Sequence, residues 1–290
     1  MFYSIKELVE QADLDFNGNV AELMIATEYE LTGRERDEVL HLMSRNLEVM
    51  KASVLLGLDE SKSRSGLTGG DAAKLHYYIQ SGKALSDYTV LTAAKNAIAV
   101  NEHNAKMGLV CATPTAGSAG CLPAVLTSAI EKLDLTEEQQ LEFLLAAGAF
   151  GLVIANNASI SGAEGGCQAE VGSASAMSAA ALVLAAGGSA FQASQAICFV
   201  IKNMLGLICD PVAGLVEVPC VKRNAMGASY AFIAADMALA GIESKIPVDE
   251  VIDAMYQVGS SLPTAFRETA EGGLATTPTG RRLSKEIFGE

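Results

Sequence analysis

Tryptophan is absent from the 290-residue sequence, and aromatic residues together make up only 6% of it. A core built on large flat side chains is therefore excluded. The 50% of residues that are hydrophobic, many of them Ala, must pack instead through aliphatic side chains, and 27 Gly stand beside them. Small side chains let helices approach closely. Basic residues are also scarce: 20 Lys and Arg stand against 34 Asp and Glu, a formal net charge of −14. Such a surface repels phosphate, which argues against nucleic acid or an anionic membrane as a partner.

An unbroken apolar run of the ~20 residues that span a bilayer is missing too. Phe143–Ile160 and Ala174–Ala190 come nearest, but they lean on Ala and Gly and contain Asn156, Asn157 and Ser178. The amino terminus, Met1-Phe-Tyr-Ser-Ile-Lys-Glu-Leu8, lacks the basic patch and apolar stretch of a secretory signal. A cytoplasmic, reducing setting is expected. There the six cysteines stay out of disulfides, and metal or catalytic roles gain weight.

No stretch alternates as a strand would, so the expected fold is all-α: one helical domain over residues 1–290, with no repeat or linker. Ser4 can cap a first helix, and a second covers Val20–Leu31. Thr32 can cap a third from Gly33 to about Leu56, where Val39, Leu42, Met43, Leu47 and Met50 recur at helical spacing. Further helices are expected over Leu91–Met107, from the capping box Thr136-Glu-Glu-Gln139 to about Asn156, and over Ala174–Ala186, Phe191–Leu207, Val221–Ala240 and Val248–Val258, before a polar tail. Four irregular segments rich in Gly, Ser or Pro interrupt them: Lys62–Asp71, Thr113–Gly120, Ser159–Ser173 and Cys209–Pro219. Loops normally run on the surface because their backbone polar groups need partners. Where such loops converge between buried helices, a ligand can supply those partners.

The cysteines differ in setting. Cys198 sits in the apolar run Ala-Ile-Cys-Phe-Val-Ile and reads as core, while Cys111 and Cys121 flank the Pro-Thr-Ala-Gly-Ser-Ala-Gly loop, where packing is the simpler role. Cys167, Cys209 and Cys220 stand at loop–helix junctions, where backbone N–H groups favour a thiolate. No C-x-x-C pair supports a zinc ribbon or ferredoxin site. Three thiolates without a fourth ligand suit a four-iron cluster with one open iron, which acts as a Lewis acid on a leaving hydroxyl. On spacing alone, three buried packing cysteines fit equally well.

The glycine loops Ser65-Gly-Leu-Thr-Gly-Gly-Asp71 and Pro114-Thr-Ala-Gly-Ser-Ala-Gly120 offer N–H groups and hydroxyls to a carboxylate or phosphate, although tight turns between helices would look the same. Neither is a P-loop or a dinucleotide fingerprint. For proton transfer, His103, just ahead of the second loop, is the candidate base, with Lys95, Lys106 and Lys202 as alternatives. Glu164 could orient substrate or balance charge near Cys167.

Taken jointly, the two glycine loops, Ser161-Gly-Ala-Glu-Gly-Gly-Cys-Gln-Ala-Glu-Val-Gly-Ser173 and Cys209-Asp-Pro-Val-Ala-Gly-Leu-Val-Glu-Val-Pro-Cys220 resemble the bacterial iron–sulfur L-serine dehydratases, in particular the α chain of the two-chain form. The resemblance implies a [4Fe–4S] cluster on Cys167, Cys209 and Cys220, with the Gly/Ser/Pro-rich loops converging on it. It implies conversion of L-serine to pyruvate and ammonia in the cytoplasm, with a link to gluconeogenesis. On that basis His103 would remove the Cα proton, and Ser65, Thr68, Gly69, Thr115, Ser118 and Glu164 would bind substrate. Single-chain relatives carry a Ser-Ser-Ser-His motif that is absent here, so a separate β chain is the expected partner. The rival readings are a pyridoxal-phosphate dehydratase, for which no lysine sits in a suitable motif, and a non-catalytic helical scaffold.

Overall fold

The computed structural model describes residues 1–289, which form thirteen α-helices and no strand. The fold is organised around one helix. That helix, α9 (Cys167–Ala185), is buried on every side from Cys167 to Val183. A helix apolar all round belongs in the centre of a protein, and its Ala, Ser and Gly residues set how near its neighbours come. Ser175 Oγ donates to the Gly227 carbonyl at 2.5 Å, which ties α9 to α11 (Cys220–Leu239). A Cβ on Gly227 would lie 2.9 Å from Val171, and one on Gly151 would lie 2.9 Å from Met177.

Around α9 pack α6 (Cys121–Leu133), α7 (Glu137–Asn157), α10 (Ala190–Met204) and α11. They share a core that contains Leu126, Phe150, Ile154 and Ile197. An outer set comprises α1 (Ile5–Asp15), α2 (Val20–Thr32), α3 (Arg36–Leu56), α4 (Asp71–Gln80), α5 (Tyr88–Ala105) and α12 (Val248–Ser261). The four-residue α8 (Gly162–Gly165) precedes α9, and α13 (Pro278–Phe288) closes the described chain.

The all-α expectation holds, as do the Ser4 cap and the Thr136–Gln139 capping box. Several boundaries differ. Thr32 caps nothing; it ends α2, its hydroxyl turned back to the Glu28 carbonyl, and Gly33 terminates the helix at φ +74°, so α3 begins only at Arg36. Asp87 caps α5, which begins at Tyr88, three residues before the expected start at Leu91. The irregular stretch expected over Ser159–Ser173 ends at Gly166, because Gly and Ser after Cys167 serve close helix packing rather than a loop. The polar tail contains α13, started by a Thr277 cap with Pro278 in the first turn.

By length and mean hydropathy (1.2) α7 would suffice to cross a bilayer, contrary to the reading of its apolar run. Its Phe143, Phe150, Val153 and Ile154 are instead packed in the core.

Candidate metal centre

Two helix starts and one extended segment bring three thiols together. Cys167 is the first residue of α9 and Cys220 the first of α11, so the packing of these helices places both at one end of the central layer. Gly166 makes the turn into α9 at φ +76°, where a Cβ would lie 2.8 Å from the Leu207 carbonyl. That close approach lets the Gln168 amide donate to Leu207 O at 3.0 Å. Gln168 Oε1 accepts from the Gly206 amide at 2.9 Å, and Arg223 Nη1 donates to Ile208 O at 2.8 Å. These bonds fix the segment that carries Cys209. On its other edge, the Cys209 amide donates to Phe266 O (2.9 Å) and the Glu268 amide to Cys209 O (2.8 Å), forming a short parallel bridge.

Cys167, Cys209 and Cys220 are 1%, 2% and 5% exposed, and all six cysteines are free. The sulfurs of Cys167 and Cys209 and a carboxylate oxygen of Glu170 lie within 4.8 Å of one another. Cys220 stands outside that trio, but charge on Cys167 raises it and charge on Cys220 raises Cys209. A hydrogen bond from the Cys209 thiol lowers the Cys167 thiol below its usual value; burial opposes this and the Arg223 charge assists it. As the donor in that bond, Cys209 is driven up, and burial and the Cys167 charge add to the rise. Burial pushes Cys220 up as well. Arg223 Nη1 approaches Cys167 Sγ at 3.4 Å, while Nη2 pairs with Asp210 at 2.9 Å.

Glu170 is 7% exposed and follows Cys167 by three residues on the same face of α9. Burial raises its carboxyl, with Glu268 adding to the rise, against a short hydrogen bond from Thr115 Oγ1. Glu170 and Arg223 are the residues that the sequence reading missed. The available signal was their spacing of i+3 from Cys167 and Cys220.

The other expected residues fall into three groups. Thr115 and Ser118 stand beside Glu170: Thr115 donates to it, and the two hydroxyls lie 3.1 Å apart. Thr68 and Gly69 do bind a carboxylate, but it is the chain's own. Glu102, fully buried, accepts from Thr68 Oγ1 (3.3 Å) and from the amides of Gly69 (3.0 Å), Asp71 (3.0 Å) and Ala72 (3.3 Å). Ser65 likewise donates to Glu217, at 2.7 Å. Glu164 is exposed, accepts from Ser159 Oγ at 2.7 Å, and lines a separate cleft of about 340 Å³ with Tyr256 and Arg267.

His103 is not brought to the thiols. Helical residues turn by ~100° each, so it points roughly opposite to Asn101, whose Oδ1 would lie 2.7 Å from a Cβ on Gly120 in the second glycine loop. It shares a face with Ala99 and Lys106, which meet Gly57 and Asp59 at the end of α3. Its ring covers Gly108, and burial lowers its pKa.

A sequence model of the family described as "Serine dehydratase alpha chain" matches residues 15–275. This chain belongs to that family. The probable L-serine dehydratase, alpha chain, of Bacillus subtilis (strain 168) is 60% identical over 289 residues, which cover 100% of this chain and 96% of the relative. The L-serine dehydratase, alpha chain, of Peptoniphilus asaccharolyticus is 42% identical over 272 residues, 93% of each. The L-serine dehydratase of Streptomyces coelicolor is 41% identical over 265 residues, 89% of this chain but 57% of its own length. Serine dehydratase alpha chains of this kind thus align from end to end, whereas the longer relative carries sequence beyond the shared region.

The donor set suits an electron-poor metal group. Three buried thiols lie close to the buried Glu170; charge on Cys167 disfavours charge on Cys209 and Cys220, and charge on Glu170 disfavours it on Cys167 and Cys220. Arg223 is the cation that bonds to the trio, and half of its guanidinium is committed to Asp210. Ionising all three cysteines calls for further positive charge, which a bound metal group brings.

Proposed function

We propose that this chain is the cluster-bearing α subunit of an L-serine dehydratase, which converts L-serine to pyruvate and ammonia with a β chain as partner. The observation that carries the reading is the close approach of buried Cys167 and Cys209, with buried Cys220 at the neighbouring helix start, within a family whose relatives bear that enzyme's name. These three residues would hold a [4Fe–4S] cluster, in the reducing cytoplasm where free thiols persist. When bound, the cluster supplies a Lewis-acidic iron that eases departure of a hydroxyl group.

The chain's own contribution is positioning and charge. Cys167 and Cys220 are the first residues of α9 and α11, where the helix dipole favours an anionic thiolate. Arg223 places its charge on Cys167, and Asp210 holds the guanidinium there. Thr115, buttressed by Ser118, fixes the carboxylate of Glu170 beside the thiols. A base must also take the Cα proton. His103 lies on the wrong face of α5 for that task, so the proton acceptor is assigned to the β chain or to a group nearer the thiols.

Anaerobic purification of the α–β complex tests the reading. About four irons per α chain and formation of pyruvate from L-serine are expected. Cys167→Ser, Cys209→Ser or Cys220→Ser should each lose iron and cut turnover by roughly 100-fold or more, whereas Cys198→Ser should keep both. Equal iron in all four variants would overturn the ligand assignment.

A further inference from the structure

The short helix α8 has two neighbours. Its first residue, Gly162, meets Cys209 and Glu170, whereas Ala163, Glu164 and Gly165 line a cleft of about 340 Å³ whose walls contain none of the three cysteines. The other wall is the end of α12, with Met255, Tyr256, Gly259 and Ser260, and Arg267 beyond it. Gly259 lets α12 come close to α8: a Cβ there would lie 2.9 Å from Gly165 Cα.

Two charged side chains line this cleft, Glu164 and Arg267, and their signs are opposite. Neither forms an ion pair with the other or with any further group among the described residues. Arg267 is set in place by the chain itself: Nε donates to Leu262 O at 2.8 Å and Nη2 to Ser260 O at 2.6 Å. Those carbonyls close the C-terminal end of α12, so the guanidinium is fixed while Nη1 takes no partner among the described residues. Glu164 is held in the same way at Oε2, which accepts from Ser159 Oγ at 2.7 Å, and its Oε1 accepts from no described group. Opposite charges that are anchored in one cleft yet do not meet suit a molecule that carries both. A carboxylate matches the free edge of the guanidinium, and an ammonium group matches the free carboxylate oxygen.

We propose that this cleft is a second binding site for a small α-amino acid, with the carboxylate on Arg267 and the ammonium group on Glu164. An anion or an amine alone would leave one of the two charges unmatched. The size also selects, since about 340 Å³ is at the lower end of the ~300–1,000 Å³ that ligand pockets span. A molecule bound here braces both approaches to the metal centre. Glu164 lies three residues before Cys167, and the backbone of Arg267 bridges to Cys209. The site does not depend on the dehydratase reading, because neither residue belongs to the donor set.

Glycine is the probe for the test, because it carries both charges and has no hydroxyl to lose. Calorimetric titration of the anaerobic α–β complex should show glycine binding at least ~10-fold more tightly than acetate or methylammonium, each of which offers one charge. Glu164→Gln should weaken glycine by roughly 5- to 10-fold and leave acetate within about twofold of wild type, the weight of one charge-assisted hydrogen bond at a partly exposed site. Arg267→Met should weaken glycine and acetate alike. Arg267 also holds the end of α12, so Glu164→Gln, at an exposed position, decides the matter if the Arg267 variant fails to fold. Acetate binding as tightly as glycine would reduce the cleft to an anion site and overturn the proposal. Glycine binding that Glu164→Gln leaves unchanged would belong to another part of the molecule and overturn it too, as would no binding by wild type. Iron content and turnover of L-serine judge the dehydratase reading separately, so the two failures cannot be confused.

Discussion

Glu102 and Glu170 are both carboxylates buried on a helix beside a glycine-rich loop, yet only one of them is finished. Glu102 takes four donors from Thr68, Gly69, Asp71 and Ala72. Glu170 takes one, from Thr115, and leaves its second oxygen towards Gly162. The same ingredients thus serve architecture at one place and chemistry at the other. A buried acid whose acceptors are all used holds the chain together; one left short beside thiols has an oxygen that no group of the described chain occupies.

The largest effect expected from this contrast is at Glu102. Glu102→Ala strips three buried amides and a hydroxyl of their acceptor, and should cost roughly 3–5 kcal/mol in urea unfolding. A loss below ~1 kcal/mol would mean that the first glycine loop is not held by this carboxylate. Next in size is an acid effect in the same loop. Burial pushes the Asp71 carboxyl up, but hydrogen bonds from Lys222 and Lys74 overcome this and leave it at about 2, against an ordinary 3.8. A carboxyl lowered on folding adds stability above its unfolded pKa and loses it as pH falls through the folded one. The stability gap between wild type and Asp71→Asn should therefore be full above about pH 4 and close as pH falls towards 2. Melting scans across that window check it. The smallest effect belongs to Glu170→Gln. In metal-free protein it should shift stability by under ~1 kcal/mol, because the amide still accepts from Thr115 and a buried charge is removed. A loss as large as that of Glu102→Ala would erase the distinction.

Much of the fold was legible from capping residues and helical spacing, as at Ser4, Thr136 and the Val20 helix. The start of α9 was not. Gly, Ser and Ala mark loops in a sequence, but they also mark helices packed at close range, and only the neighbours decide between the two. The closeness of Cys167 and Cys209 was foreshadowed by their place at loop–helix junctions. Glu170 and Arg223 could have been found by counting three residues on from Cys167 and Cys220. The first glycine loop was read as tight turns or as a cradle for a ligand's carboxylate or phosphate, whereas the carboxylate it holds belongs to the chain. Its occupant, Glu102, lies some thirty residues further along the chain, a pairing that no local pattern encodes. His103 shows the converse: nearness in sequence to a functional loop does not fix the side of the helix from which a side chain projects.

The bridge between Cys209 and residues 266–268 carries a consequence for how the protein comes into being. Cys167 and Cys209 leave the ribosome well before Phe266 and Glu268 do. Until that late segment arrives, the extended segment bearing Cys209 lacks one edge and Glu268 is missing from beside the thiols. Completion of the site thus waits until residues 266–268 have been made, and a chain stopped before them would present its thiols without the wall that encloses them.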